Sequence, residues 1–393
     1  MEHKVQHYGL YDRIFVMSRK LILFFIALFL LAAGTIAFIR LRPKPALETK
    51  FIQEVRELRT EEPREGETEE QKVIVDIKKP GVSALMENPK HTYQTFNNCG
   101  PATLSMMLSW YGKNVSQKEL GDAMRPYQIS SGDNDDKTIF TYEFVEWARV
   151  YGLESIGRVN GDIELLKTFT ANGIPVVVKT WLHVDDDIGH FRIVRGFDEA
   201  RQVIIQDDSY EGPNKKISYF DFLSMWQPFN YAYIIVFTPE QQDLVEAIIG
   251  EELDEKVAWQ HALIRSQKEA ELNSENVYPW FNMSASYYHL GEFQKSVESF
   301  EKVEARLPRR MLWYQIEPIQ AYKELGNYDR VFQISENILE NGNRAYSELY
   351  QIKGEIYLIQ GDKDKAQQQF ELAVQYNQNF EPAKVSLESL LNN

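Results

Sequence analysis

The stretch HTYQTFNNCGPATLSMMLSWYG, residues 91–112, holds the single cysteine of this 393-residue chain, set between two asparagines and a Gly-Pro pair. Pro101 suits the first turn of a helix, where its missing N–H leaves no bond unmade, and Gly112 suits the end of one. The spacing predicts a helix over 100–111 with Cys99 at its amino terminus. The helix dipole and the unpaired N–H groups of a first turn favour a thiolate. With a cationic histidine nearby, such a position lowers a cysteine pKa from about 8.5 toward about 3.5–7.5. Most lone cysteines are small buried hydrophobes. The helix-start position and a Gly-His pair downstream favour a nucleophile here.

A thiol nucleophile requires a base. His190 opens the apolar run HFRIVRGF directly after DDDIG, and the next run leads into IIQDDSYEGPN, which puts Asp207 or Asp208 at the end of the neighbouring strand. A carboxylate there can orient an imidazole. Apolar runs beginning at Ile174, His190, Gln202 and Tyr231 read as strands, and helices are expected near 116–124, 141–151 and 162–172. Helices first and then a mostly antiparallel sheet make residues 89–238 an α+β domain.

Cysteine, histidine and carboxylate in that order, from a helix start and two adjacent strand ends, follow papain-like logic. The residues YQTFNNCGPATLSMMLSWYG, GHFRIVRGFD and QDDSYEGPN resemble the bacterial papain-like cysteine peptidases related to the double-glycine leader peptidases of bacteriocin exporters. The resemblance covers residues 89–238. It implies Cys99 as nucleophile, His190 as general base and acid, and Asp208 ahead of Asp207 as the acid that fixes the imidazole. It also implies Gln94 as a side-chain donor to the oxyanion beside the Cys99 N–H. The reaction implied is amide hydrolysis without a metal or other cofactor. Acyl transfer to an amine would use the same residues. No G-x-x-x-x-G-K-[ST] loop matches the ATP-binding cassette of those exporters, so the double-glycine substrate is not implied.

Residues 239–393 repeat. Gly291, Gly326 and Gly361 lie 35 residues apart, as do Tyr287, Tyr322 and Tyr357. An aromatic one helical turn before a glycine turn, at a period this close to 34, resembles the tetratricopeptide repeat and implies an all-α solenoid with a peptide-binding groove. Residues 243–272 are expected to form an opening helix pair. Trp280, Tyr288, Trp313 and Tyr314 are either groove or inter-helix aromatics. The partner expected for this groove is a protein or peptide. The alternative to an enzyme is an inert scaffold that binds through the repeats.

Ahead of both domains, residues 1–20 precede LILFFIALFLLAAGTIAFI, 19 uncharged residues over 21–39, which at about 1.5 Å per residue would span roughly 28 Å. This predicts one transmembrane helix rather than a cleaved signal, whose apolar core is shorter. The expected localisation is a single-pass membrane protein with its bulk extracytoplasmic. Residues 40–88, rich in glutamate, read as an acidic stalk. The formal charge of −15 repels phosphate backbones and excludes nucleic acid as the expected partner. SGDNDDKT at 131–138 and HVDDD at 183–187 read as solvated loops rather than metal sites.

Overall fold

The structure, a computed structural model, describes residues 75–128 and 138–391, all within one compact unit. The segments 1–20 and 21–39, most of the 40–88 stalk, and nearly all of the 131–138 loop lie outside the described residues. The membrane localisation is corrected: no helix among the described residues is long and apolar enough to cross a membrane. The longest, Glu255–Leu272, carries Glu255, Lys256, Arg265, Lys268, Glu269 and Glu271 along its 18 residues, and water or protein must solvate these charges.

The first domain is α+β, with an antiparallel sheet of strand order β2-β7-β3-β4-β5-β6: β2 Glu154–Arg158, β3 Val176–Trp181, β4 Gly189–Asp198, β5 Val203–Asp208, β6 Gly212–Ser218 and β7 Tyr233–Phe237. A short β1, Ser83–Leu85, pairs with the far end of β4, so part of the expected stalk joins the sheet. The strands do not all follow the helices, because β2 lies between the helices Thr141–Val150 and Ile163–Ala171. The central strands β3 and β7 are buried along their whole length, β7 as a continuous apolar run and β3 as one interrupted by Lys179 and Thr180, while in β6 only Gly212 is buried.

The helix Cys99–Trp110 packs on this sheet through Leu104, Met107 and Leu108 against Val177, Phe191, Ile193, Ile234 and Val236. Burying a side chain of this size is worth about 1.5–3 kcal/mol, so this contact fixes the helix on the sheet. At its end Gly112 takes a left-handed φ of 72°, which glycine adopts without steric cost.

The carboxy-terminal helices run in antiparallel pairs. Three of the first helices, Val277–His289, Glu317–Glu324 and Ser347–Ile359, end in the same way. Gly291, Gly326 and Gly361 have φ of 77°, 72° and 79°. The N–H after each glycine donates to the carbonyl of Tyr287, Tyr322 or Tyr357, at 2.8, 2.9 and 2.9 Å. This is the Schellman cap, and it gives the 35-residue period its physical cause. One apolar core runs through both domains, joining Phe140, Trp181 and Phe229 to Phe281, Tyr314 and Ile319. Trp313 and Tyr314 are therefore buried between the domains, whereas Trp280 and Tyr288 are half-buried among the repeats.

Candidate active site

The chain enters the Cys99 helix through a tight bend. Asn97 has a left-handed φ of 56°, which asparagine tolerates better than most residues. Asn98 is held by its own Nδ2, which donates to Thr95 Oγ1 at 2.7 Å, and by the buried Arg125, which donates to its Oδ1 at 2.5 Å. Gly100 follows because a Cβ there would stand 3.0 Å from Ile139. Cys99 is the first helical residue and half-buried. Its N–H is among the four with no partner inside a helix.

His190 enters from the start of β4 and is 2% exposed. Its Nε2 lies 3.0 Å from Asp208 Oδ1, and the ring is close enough to the Cys99 thiol for each to shift the other's pKa. With Nε2 occupied by the carboxylate, Nδ1 is the nitrogen left for sulfur.

Register separates the two aspartates. Asp208 is paired with Arg192, two residues beyond His190, so it shares the His190 side of the ladder; Asp207 is paired with Ile193 and points the other way. Asp208 also accepts the N–H groups of Tyr210 and Glu211 at 2.7 and 2.9 Å. Its Oδ2 is 2.8 Å from Arg192 Nε, an ion-pair contact without hydrogen-bond alignment. Asp207 instead receives Arg195 Nε at 2.8 Å and the Asn214 N–H at 2.9 Å.

These contacts set the charges. Burial pushes the Cys99 thiol up, but the hydrogen bond and charge of His190, the Phe191 backbone and the Lys179 charge hold it below its ordinary value. Burial pushes His190 down, and hydrogen bonds to Asp208 and Cys99 outweigh it and raise the imidazole. Burial favours a neutral Asp208, yet His190, Arg192 and the Glu211 N–H keep its carboxyl well below the usual carboxylate range. Both shifts run in the direction that favours a thiolate–imidazolium pair backed by a carboxylate.

Gln94 borders the same cleft, of about 280 Å³, as Cys99 and His190. Its N–H donates to the Ser209 carbonyl at 2.8 Å, and its Oε1 accepts the Ser209 hydroxyl at 2.7 Å. The amide oxygen is thus tied back, and the remaining end of the side chain is the donor Nε2. Gln117 clamps the segment by accepting the Thr95 N–H at 3.0 Å and donating to the Tyr93 carbonyl at 2.6 Å. The structure therefore brings Gln94, Cys99, His190 and Asp208 together and leaves Asp207 outside.

Sequence reasoning missed two cations. Arg192 had a signal, since period two from His190 puts it on the same strand face. Lys179 had another, a lysine inside the apolar run IPVVVKTWL. Lys179 is 4% exposed and donates to the Ile139 carbonyl at 2.8 Å. The rings of Phe191 and Tyr314, both at 5.1 Å, and of Phe140 and Phe229, both at 5.7 Å, surround its ammonium.

In the 183–187 loop, His183 bonds Glu211 at 3.0 Å and Asp187 pairs with Arg310 at 2.5 Å.

The Peptidase_C39 like family matches residues 84–234, and the tetratricopeptide repeat matches residues 347–380. Among solved structures, a putative C39-like peptidase from Bacillus anthracis is 14% identical, with a TM-score of 0.33, over 40% of this chain and 98% of that one. The peptidase domain of Streptococcus ComA, a bifunctional ABC transporter of a quorum-sensing pathway, is 19% identical with a TM-score of 0.29, over 39% and 98%. A thermophilic TPR protein of Thermus thermophilus is 18% identical with a TM-score of 0.30, over 36% and 77%. No curated protein matches the chain. Residues 84–234 are thus similar to the C39-like peptidases, and the helical region that follows is similar to tetratricopeptide-repeat proteins.

Proposed function

We propose that this chain is a cysteine peptidase whose hydrolytic domain is residues 89–238, and that residues 239–393 recruit its protein or peptide substrate. The observation that carries this reading is the convergence of Cys99 and His190 on one open cleft, with Asp208 bonded to the far side of the imidazole. The Cys99 thiolate attacks the amide carbonyl, forming a C–S bond and an oxyanion. The Cys99 N–H and Gln94 Nε2 receive that oxyanion, a contribution worth about 10²–10³ in rate, or roughly 2.7–4 kcal/mol, per donor. The His190 imidazolium gives its proton to the leaving amine as the C–N bond breaks. Neutral His190 then takes a proton from water, whose oxygen displaces the thiolate from the thioester and releases the acid. Asp208 fixes the ring so that one nitrogen faces sulfur throughout.

The test is alkylation by a peptidyl acyloxymethyl ketone, read as mass gain on the intact protein, together with new termini in a mixed peptide pool. Wild type is expected to be alkylated at neutral pH far faster than His190→Ala, and the new termini are expected to vanish with Cys99→Ala. Equal alkylation rates would remove the ion pair from the reading. Termini that do not depend on Cys99 would leave a binding scaffold.

A further inference from the structure

The cleft beside Cys99 is not built by the first domain alone. Its far wall is the short helix Met311–Tyr314 and the preceding Arg310, which belong to the repeat region. Tyr314 approaches so closely that a Cβ on Gly189, next to His190, would stand 2.8 Å from its ring. The Trp313 carbonyl accepts the hydroxyl of Thr138, which lines the same cleft, at 2.7 Å. Arg310 ties this wall to the first domain through Asp187.

The same cleft is also lined by exposed, largely apolar side chains: Phe96 is 49% exposed, Ile188 41% and Tyr210 61%. Three large, largely apolar side chains exposed around one cleft that a buried tryptophan also lines form a surface suited to an apolar group that excludes water. Among the described residues lining the cleft there is no carboxylate to pair a cationic side chain.

We infer that the repeat region supplies the specificity wall of the cleft in cis, with Trp313 facing Phe96 across a subsite for a large apolar side chain next to the scissile amide. This deepens the peptidase reading and rests on it. The repeats then do more than hold a substrate at a distance, because one of their helices selects the residue presented to Cys99. Gly189 is part of the same design: no larger residue fits beneath Tyr314.

The experiment uses the full chain and peptidyl acyloxymethyl ketones carrying alanine, leucine or phenylalanine beside the ketone. Attack by the Cys99 thiolate on the methylene carbon expels the carboxylate, and because Cys99 is the only cysteine the adduct site is unambiguous. The readout is the ratio of phenylalanine to alanine rates, which a reduced folded fraction leaves unchanged.

Wild type is expected to favour leucine and phenylalanine, and Trp313→Ala to lower the ratio by about tenfold, the scale of apolar pocket discrimination. Trp313→Phe is expected to restore most of it. Phe96→Ala, at an exposed position that the fold does not depend on, is expected to lower it as well. Alkylation of wild type with a ratio that neither alanine variant moves would overturn the inference and spare the peptidase reading. Failure of wild type to react with any ketone, with Cys99 still titratable after denaturation, would overturn both.

Discussion

A lysine sealed among four aromatic rings, whose charge favours the Cys99 thiolate, makes a specific claim about pH. Cys99 is held below its ordinary value, so its thiolate is present above that lowered pKa and is lost as pH falls through it. His190 is raised, so its imidazolium is present below that raised pKa and is lost as pH rises through it. Turnover is expected in the window between, as a bell whose limbs belong to the coupled pair. Lys179→Met removes one of the positive charges that favour the thiolate, and the acid limb of Cys99 alkylation is expected to move to higher pH. An unmoved limb would show that His190 and the helix set the thiol without it. Gln94→Ala is expected to lower kcat by about 10²–10³ with little change in KM, since the oxyanion exists only after attack; a loss confined to KM would assign the amide to substrate binding. Cys99 and His190 were legible in the sequence because their signals are local: a helix start, a Gly-Pro pair, a glycine before a strand. The choice between Asp207 and Asp208 depends on the β4–β5 register, which the residues alone left open. The influence of the Lys179 charge on the thiol arises only when the fold closes.

At the scale of elements, the repeat glycines were the most readable feature. A residue forced into the left-handed region must be glycine or accept a cost of about 1–2 kcal/mol, so the caps print their period directly into the chain. Gly326→Ala, with open space around its Cβ and a φ of 72°, is expected to destabilise by roughly that amount through backbone strain alone, and Gly326→Asn by less. Gly354 is constrained differently. It lies mid-helix, and a Cβ there would stand 2.4 Å from the Phe370 ring, so Gly354→Ala must repack a buried contact at about 1–3 kcal/mol despite its better helix propensity. Urea midpoints, with m unchanged, measure both; a stabilised Gly354→Ala would mean that the ring yields freely. The strands β1, β2 and β6 were missed for the opposite reason. Ser83–Leu85 is three residues long, Glu154–Arg158 lies at the sheet edge with one buried residue, and GPNKKIS carries two lysines on the other edge. None presents the alternation or apolar run by which a strand is recognised. The helix Tyr219–Trp226 was hidden between β6 and β7, where an aromatic-rich run fits either state.

Across the whole molecule, the two domains share polar as well as apolar contacts. Arg265 stacks 3.3 Å from the centre of the Tyr231 ring, donates from Nε to Glu269 at 3.1 Å and from Nη1 to the Gly161 carbonyl at 2.9 Å. Glu269 also accepts the Tyr231 hydroxyl at 2.7 Å and Gln227 Nε2 at 2.8 Å. Nearby, Glu252 accepts Asn160 Nδ2 at 2.7 Å. A buried charge pair of this kind adds little net stability over an apolar isostere, but removing one partner strands the other. Glu269→Ala is therefore expected to cost about 3–5 kcal/mol, and Arg265→Met with Glu269→Met considerably less. The core that runs from Phe140 and Trp181 into Phe281 and Ile319 is continuous, so the loss should be felt on both sides of the junction. Calorimetry of the full chain is expected to give one cooperative transition, shifted as a whole by Glu269→Ala, with Cys99 alkylation lost at the temperature where helix content is lost. Two separable transitions, with the repeats melting first and alkylation persisting, would mean that the interface docks two independent domains. In that case the Met311–Tyr314 wall could leave the cleft without unfolding the sheet, and the selectivity assigned to Trp313 would depend on temperature where a single core predicts that it does not.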